Sequence, residues 1–149
     1  MQIPEELRAL EAYWDMQRGA QPMPPRSAFG PLELRPWLGN IAIVAVERQP
    51  ALRFRVTLSG ARMDDYRGHG ITNRYIDEIC AGRESSEPFF RRCLDTAAPV
   101  YFRFDNSCNS QLYPCMAKLL LPLGNAAGDA IERILVGSYP QAVRLARAA

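Results

Sequence analysis

The sequence is poor in the residues on which most catalytic chemistry is built. It holds one histidine, His69, and one lysine, Lys118. A Ser-His-Asp triad, a Cys-His pair and most zinc sites would all have to be assembled on that one imidazole. Its neighbours Gly68 and Gly70 place it in an exposed loop, not on the pocket-facing helix that a haem ligand needs. The same Gly68-His69-Gly70 lacks the third glycine, the preceding strand and the lysine of a phosphate cradle. Cys80, Cys93, Cys108 and Cys115 form no Cys-x-x-Cys, so free thiols in a reducing compartment are expected. No window approaches the roughly 18 to 20 apolar residues that span a bilayer. The start, Met1-Gln2-Ile3-Pro4-Glu5-Glu6, is acidic where a signal peptide is basic. The expectation is a cytoplasmic protein without a membrane partner. An excess of one charge is also missing: 18 basic against 16 acidic residues leave +2, too little to drive nucleic-acid binding.

What is present describes an ordinary globular chain. At about 150 residues per domain, 149 residues make one domain, and 48% hydrophobic with 23% charged content excludes disorder and fibrous classes. Pro4, Glu5, Glu6 and Gly19 bracket a helix over Pro4–Arg18, with residues 1–19 as the N-terminal helical segment. Its apolar residues Ile3, Leu7, Leu10 and Trp14 recur at spacings of four, three and four. That seam serves equally a helix laid on its own domain and a short coiled coil with a second copy. Residues 20–40, with Pro22, Pro24, Pro25, Pro31 and Pro36, read as a connector holding one turn at Leu32–Arg35.

Residues 41–140 read as the body of the domain. The run from Ile41 to Val46 is apolar on both faces and suits a covered strand. Arg53 to Ser59 alternates, with Phe54, Val56 and Leu58 on one face. A turn at Gln49-Pro50 joins the two as a hairpin. Short irregular helix and turns follow from Gly60 to Gly70, then a brief helix capped by Thr72 or Asn73 and ending near Gly82. A longer helix starts at Ser85 or Ser86 and runs to Ala97. Three strands close the chain as a meander over Val100–Phe104, Tyr113–Leu123 and Ile131–Ser138, and residues 141–149 form a tail. The fold class is therefore α+β: a five-stranded antiparallel sheet with helices covering one face and an amphipathic helix at the N-terminus.

Carboxylates are numerous, at Asp64, Asp65, Asp77 and Glu78, but in no arrangement specific to acid-base catalysis. The informative cluster is apolar. Phe54, Phe89, Phe90, Tyr101, Phe102, Phe104, Tyr113 and Met116 belong to elements facing the space between sheet and helices, where they fill a core or enclose a cavity. With Val56, Leu58 and Cys93, the residues Phe54, Phe89, Phe90, Tyr101, Tyr113 and Met116 are the candidate ligand pocket. Ile3, Leu7, Leu10 and Trp14 are the candidate dimer or partner surface.

Several short motifs occur in a specific order: Tyr13-Trp14, Arg18-Gly19, Met23-Pro24, Pro31-Leu32-Glu33-Leu34 and Pro36-Trp37-Leu38. A hairpin ending at Gly60, then Gly68, Thr72 with Arg74, and Leu121-Pro122-Leu123 before Gly128 complete the series. From Leu10 to Gly137 the chain resembles a bacterial family of small, often stand-alone PAS-like proteins. Thr57 stands where that family commonly has arginine, Asn73 where it has glycine, and His69-Gly70 where it has a basic-acidic pair. The Asn-Cys-Arg run of flavin-binding light sensors is absent, since Arg91-Arg92 precede Cys93, so neither flavin nor haem is expected and no cofactor is assigned. The resemblance implies a sensory or regulatory module that binds a small ligand, a protein partner or both, and carries no catalysis of its own. Alternatives are a structural dimerisation module using the N-terminal seam, and a small cone-fold enzyme in which Asp64, Asp65 or Asp77 converges with His69.

Overall fold

The computed structural model describes residues 2–79 and 85–141. Helix α1 spans Glu5–Arg18, with Glu5 and Glu6 at its positive end and Gly19, at φ 57°, ending it. Strands β1 (Ile41–Glu47) and β2 (Arg53–Ser59) form the expected hairpin. Three helices follow: α2 (Ala61–Arg67), α3 (Ile76–Ile79) and α4 (Glu87–Thr96). Asn73 adopts φ 69°, a left-handed conformation that asparagine tolerates, which explains how it stands in for glycine there. The expected end of α3 at Gly82, Cys80, and residues 142–149 of the tail lie outside the described residues. Strands β3 (Val100–Asp105), β4 (Cys115–Gly124) and β5 (Ile131–Pro140) complete one antiparallel sheet in the order β2-β1-β5-β4-β3.

The sheet is covered on both faces. Because side chains alternate across a strand, one face of the sheet carries Phe102, Lys118, Val136 and Val44 toward α2 to α4. The other face carries Tyr101, Leu119, Gly137 and Ile41 toward α1. All ten residues of β4 are buried. Leu7 and Leu10 are fully buried on the second face, and the Trp14 indole Nε1 donates to the Pro122 carbonyl at 2.9 Å. The helix seam is thus occupied by the chain's own sheet. Ile3 is half-buried at its edge.

The proline-rich segment is more than a connector. Met23, Phe29, Leu34 and Trp37 belong to the same core. Phe29 meets Tyr13 edge-on at 5.6 Å, and the Trp37 indole Nε1 donates to the Glu6 carbonyl at 2.9 Å. The expected turn at Leu32–Arg35 is present, with the Arg35 N–H donating to the Leu32 carbonyl at 3.4 Å, and 3₁₀ turns at Arg26–Ala28 and Arg35–Asn40 accompany it. Proline at such positions is compatible with burial because the segment needs few backbone donors.

Gly137 sets how closely α1 approaches. A β-carbon there would lie 2.7 Å from a Leu7 methyl and 3.0 Å from a Leu10 methyl, both in the packed core. Gly137→Val therefore lifts the helix from the sheet and lowers stability by about 1–3 kcal/mol, as overpacking does. Leu7→Ala, which leaves a cavity at the same contact, lowers it by about 2–5 kcal/mol. Urea unfolding midpoints of the two variants against the parent chain are the check.

Candidate functional site

The space between the sheet and α2 to α4 is nearly filled. Phe54 meets Phe90 with ring centres 5.3 Å apart, and Phe89 stacks on Phe102 at 4.1 Å with planes 5° from parallel. Between them remains a cavity of about 20 Å³. That is room for about one water. Ala42 and Val44 of β1, Val56 of β2, Lys118 of β4 and Val136 of β5 form its floor. Met63 and Arg67 of α2, Ile76 of α3, and Ser86 with Phe90 at the start of α4 form its roof.

The candidate pocket residues divide over this site. Val56 and Phe90 line the cavity. Phe54, Cys93 and Met116 are buried in the core around it, and Phe89 lies half-buried at its margin. Leu58, expected beside Phe54 and Val56, is instead 41% exposed. The register slips between Ile43 and Val44, so that Val56 pairs with Val44 but Leu58 pairs with Ile43. Such a bulge moves every later side chain to the opposite face, and the Thr57 hydroxyl donates to the Ile43 carbonyl at 3.1 Å beside it. Tyr101 also belongs to the other face, paired with Leu119, and its hydroxyl donates to the Leu7 carbonyl at 3.4 Å. Burial, with Glu11 nearby, holds that hydroxyl protonated well above the ordinary tyrosine range. Tyr113 precedes β4 and packs edge-on against Tyr66 at 5.0 Å, away from the cavity wall.

Three polar cavity residues escaped the sequence reading: Arg67, Lys118 and Ser86, exposed by only 8%, 7% and 4%. A visible signal existed for one. Lys118 is the chain's sole lysine and interrupts the apolar run Met116-Ala117-Lys118-Leu119-Leu120-Leu121. Its ammonium lies 5.0 Å from the centre of the Phe104 ring, and the Arg67 guanidinium lies 5.4 Å from the same ring. These are cation–π distances. Both cations have further interactions within the protein.

The roof is tied down by polar contacts at two places. At one end, Asn40 Nδ2 donates to the Tyr66 hydroxyl at 2.7 Å, and Asn106 Nδ2 donates to the Tyr66 carbonyl at 2.8 Å. Both asparagines are buried, so Tyr66 seats α2. At the other end, Arg53 of β2 donates to both Asp77 oxygens at 3.0 and 2.8 Å and stacks 3.6 Å from the Tyr75 ring centre. Glu47 accepts from Arg55 at 2.6 Å and from the Tyr75 hydroxyl at 2.7 Å. Asp77 is thereby held below the usual carboxylate range by its hydrogen bonds from Arg53, and Glu47 by those from Arg55 and then Tyr75. His69 is exposed, with Asp77 committed to Arg53 and Asp64 accepting from the Ser59 hydroxyl at 2.8 Å. Neither His69 nor any of these carboxylates reaches the cavity.

Two measurements follow from this geometry. Carboxylates with lowered pKa values stabilise the fold above their ordinary range, near pH 4, and that contribution disappears as pH falls through the folded-state values. The urea midpoint should therefore hold from neutral pH to about pH 5 and drop below about pH 4, with a shallower drop for Asp77→Asn. The residues are exposed enough that the change is a shift of the midpoint and not a loss of folding. Burial pushes the Cys93 thiol up to about 12, whereas Cys108 is exposed. Iodoacetamide at about pH 8 should label Cys108 in the native protein and Cys93 only after denaturation, as peptide mapping will show.

Among the described residues no helix is long and apolar enough to cross a membrane. A comparison with curated proteins returns no match. The profile of a family described as PAS domain matches residues 2–139, nearly the whole chain, and its span includes α1 and the proline-rich segment together with the sheet. The sheet order, the helical roof and this match agree, and the chain belongs to the PAS domain family.

Proposed function

We propose that this chain is a sensory or regulatory PAS module of the cytoplasm, without catalysis of its own, which takes a small ligand in the cavity beside Val56 and Phe90 and signals through α1 to a protein partner. The observation that supports this reading is the alternation of β4 and β5. Lys118 and Val136 line the cavity on one face, and the adjacent residues Leu119 and Gly137 are paired on the other, where α1 sits. Leu7 and Leu10 of α1 rest on Gly137. A displacement of either strand by a ligand is therefore delivered one residue away to the seat of the helix. The output is a shift in population between two packings of α1, and its size is limited to the ligand's differential affinity for them.

The near-filled core favours a second reading, an interaction module with no ligand. The two readings separate in one experiment. Both tryptophans report on α1, since Trp14 lies on it and Trp37 donates to its Glu6 carbonyl. A metabolite and nucleotide screen by thermal shift, repeated with tryptophan emission as the readout, should find compounds that raise Tm and change emission together. Absence of any such compound, with a specific protein partner captured, favours the interaction module. Absence of both a ligand and a partner removes the sensory reading.

A further inference from the structure

The two edges of the sheet are closed to different degrees. The chain covers β2 itself: the Val56 N–H donates to the Arg74 carbonyl at 2.8 Å, the Asn73 N–H donates to the Val56 carbonyl at 2.6 Å, and Arg55 bridges to Tyr75. Among the described residues β3 has no such cover. Its register with β4 continues into the bond from the Asn106 N–H to the Pro114 carbonyl. Hydrogen-bonded pairs alternate along an antiparallel ladder, so Val100, Phe102 and Phe104 turn their main-chain groups inward to β4. The N–H and C=O of Tyr101 and Arg103 therefore point outward, and neither main chain meets a partner among the described residues. Such an edge is a template for another strand.

The surroundings select the kind of strand. The Arg103 side chain is exposed on the α1 face of the edge. Where the chain enters β3, a groove of about 300 Å³ opens against α1, with Glu11, Trp14, Asp15, Arg18, Ala98 and Pro99 on its walls. Glu11 also stands by the Tyr101 hydroxyl, which makes the groove continuous with the edge. Arg18 is tied to Asp15 at 2.6 Å, so the Glu11 carboxylate leaves the groove negative. Side chains on one face of a strand recur every second residue, and the positions from Arg103 through Tyr101 to Pro99 thus run from a cation to an anionic groove. An antiparallel segment with the opposite order of charge is complementary to them. A second copy of β3 is not, because it spans only Val100–Asp105 and turns away after Asn106, short of the groove. We propose that the open edge of β3 docks an extended segment of a partner protein, which adds as an antiparallel strand with an acidic side chain opposite Arg103 and a basic side chain, four residues later, in the Trp14 groove. This rests on the reading of the domain as one that signals to a protein partner, and it names what that partner presents. A segment seated there touches α1 at Trp14.

The test titrates the full chain with the peptide acetyl-Thr-Glu-Thr-Val-Thr-Lys-Thr-amide. Two controls are a form with Glu and Lys exchanged and a form with N-methylvaline for valine, which removes the donor facing Tyr101. The first peptide should shift the amide resonances of Tyr101 and Arg103, slow their hydrogen exchange and change tryptophan emission. The N-methylated form should do none of these. The charge-exchanged form should bind about fivefold more weakly or worse, the effect of turning two cross-strand charge pairs repulsive, and Arg103→Glu should remove that preference. Where the variant does not fold, the three peptides on the unaltered chain decide alone. No response of Tyr101 and Arg103 to the first peptide at millimolar concentration, equal binding of all three, or shifts on another surface would overturn the proposal. The same amide shifts on raising protein concentration without peptide would overturn it in favour of a second copy. A silent edge with a ligand or a partner found elsewhere removes this site and leaves the sensory reading intact, whereas a silent edge with neither removes both.

Discussion

Strand β4 throughout and β5 over Ile134–Ser138 are buried on both faces, and the pleat of those two strands is the constraint on which the rest of the molecule depends. One row of side chains must satisfy the helical roof and the other must satisfy α1. Neither cover is optional, because an uncovered apolar row on a central strand would leave several large side chains in water. Gly137 shows how tightly the second cover is fitted, since Leu7 and Leu10 occupy the space a side chain would take. The N-terminal helix is therefore part of the domain's core and, in the same contact, the element best placed to feel a change on the opposite side.

The two covers differ in how they are attached. The α1 face is almost wholly apolar and is pinned at its ends by indole hydrogen bonds to the Pro122 and Glu6 carbonyls. The roof combines aromatic packing with polar ties at Tyr66 and at the Arg53, Tyr75 and Asp77 cluster. The exposed ties of the Arg53, Tyr75 and Asp77 cluster are partly hydrated and yield at lower cost than a close-packed apolar face. A ligand entering between them would displace the roof before the floor.

Much of this was legible in the residues, and the misreadings have particular causes. The element order and the α1 seam followed from hydrophobic period and capping residues, which act within a few residues of the chain. Leu58 and Tyr101 were misplaced because facing depends on register. Alternation along β2 put Leu58 beside Val56, but the bulge opposite Ile43 and Val44 reversed its side. Tyr101 has the pattern of a pocket aromatic, yet its pairing with Leu119 turns it toward α1. The prolines of residues 20–40 correctly excluded regular strands and long helices. They carried no information that Phe29 and Trp37 would be buried, because that depends on Tyr13 and Glu6 being brought beside them.

By itself the sequence determined the class of the domain, the five strands and their hairpin and meander, the amphipathic first helix and the membership suggested by its ordered motifs. These rest on local backbone preference and on the period of burial, both of which are encoded within short windows. Only the tertiary structure decided which face each side chain serves, that the first helix is used on its own sheet, and that the sole lysine shares a cavity with Arg67, 51 positions earlier in the chain. Those outcomes depend on register and on contacts between distant segments, and no local pattern of residues specifies them.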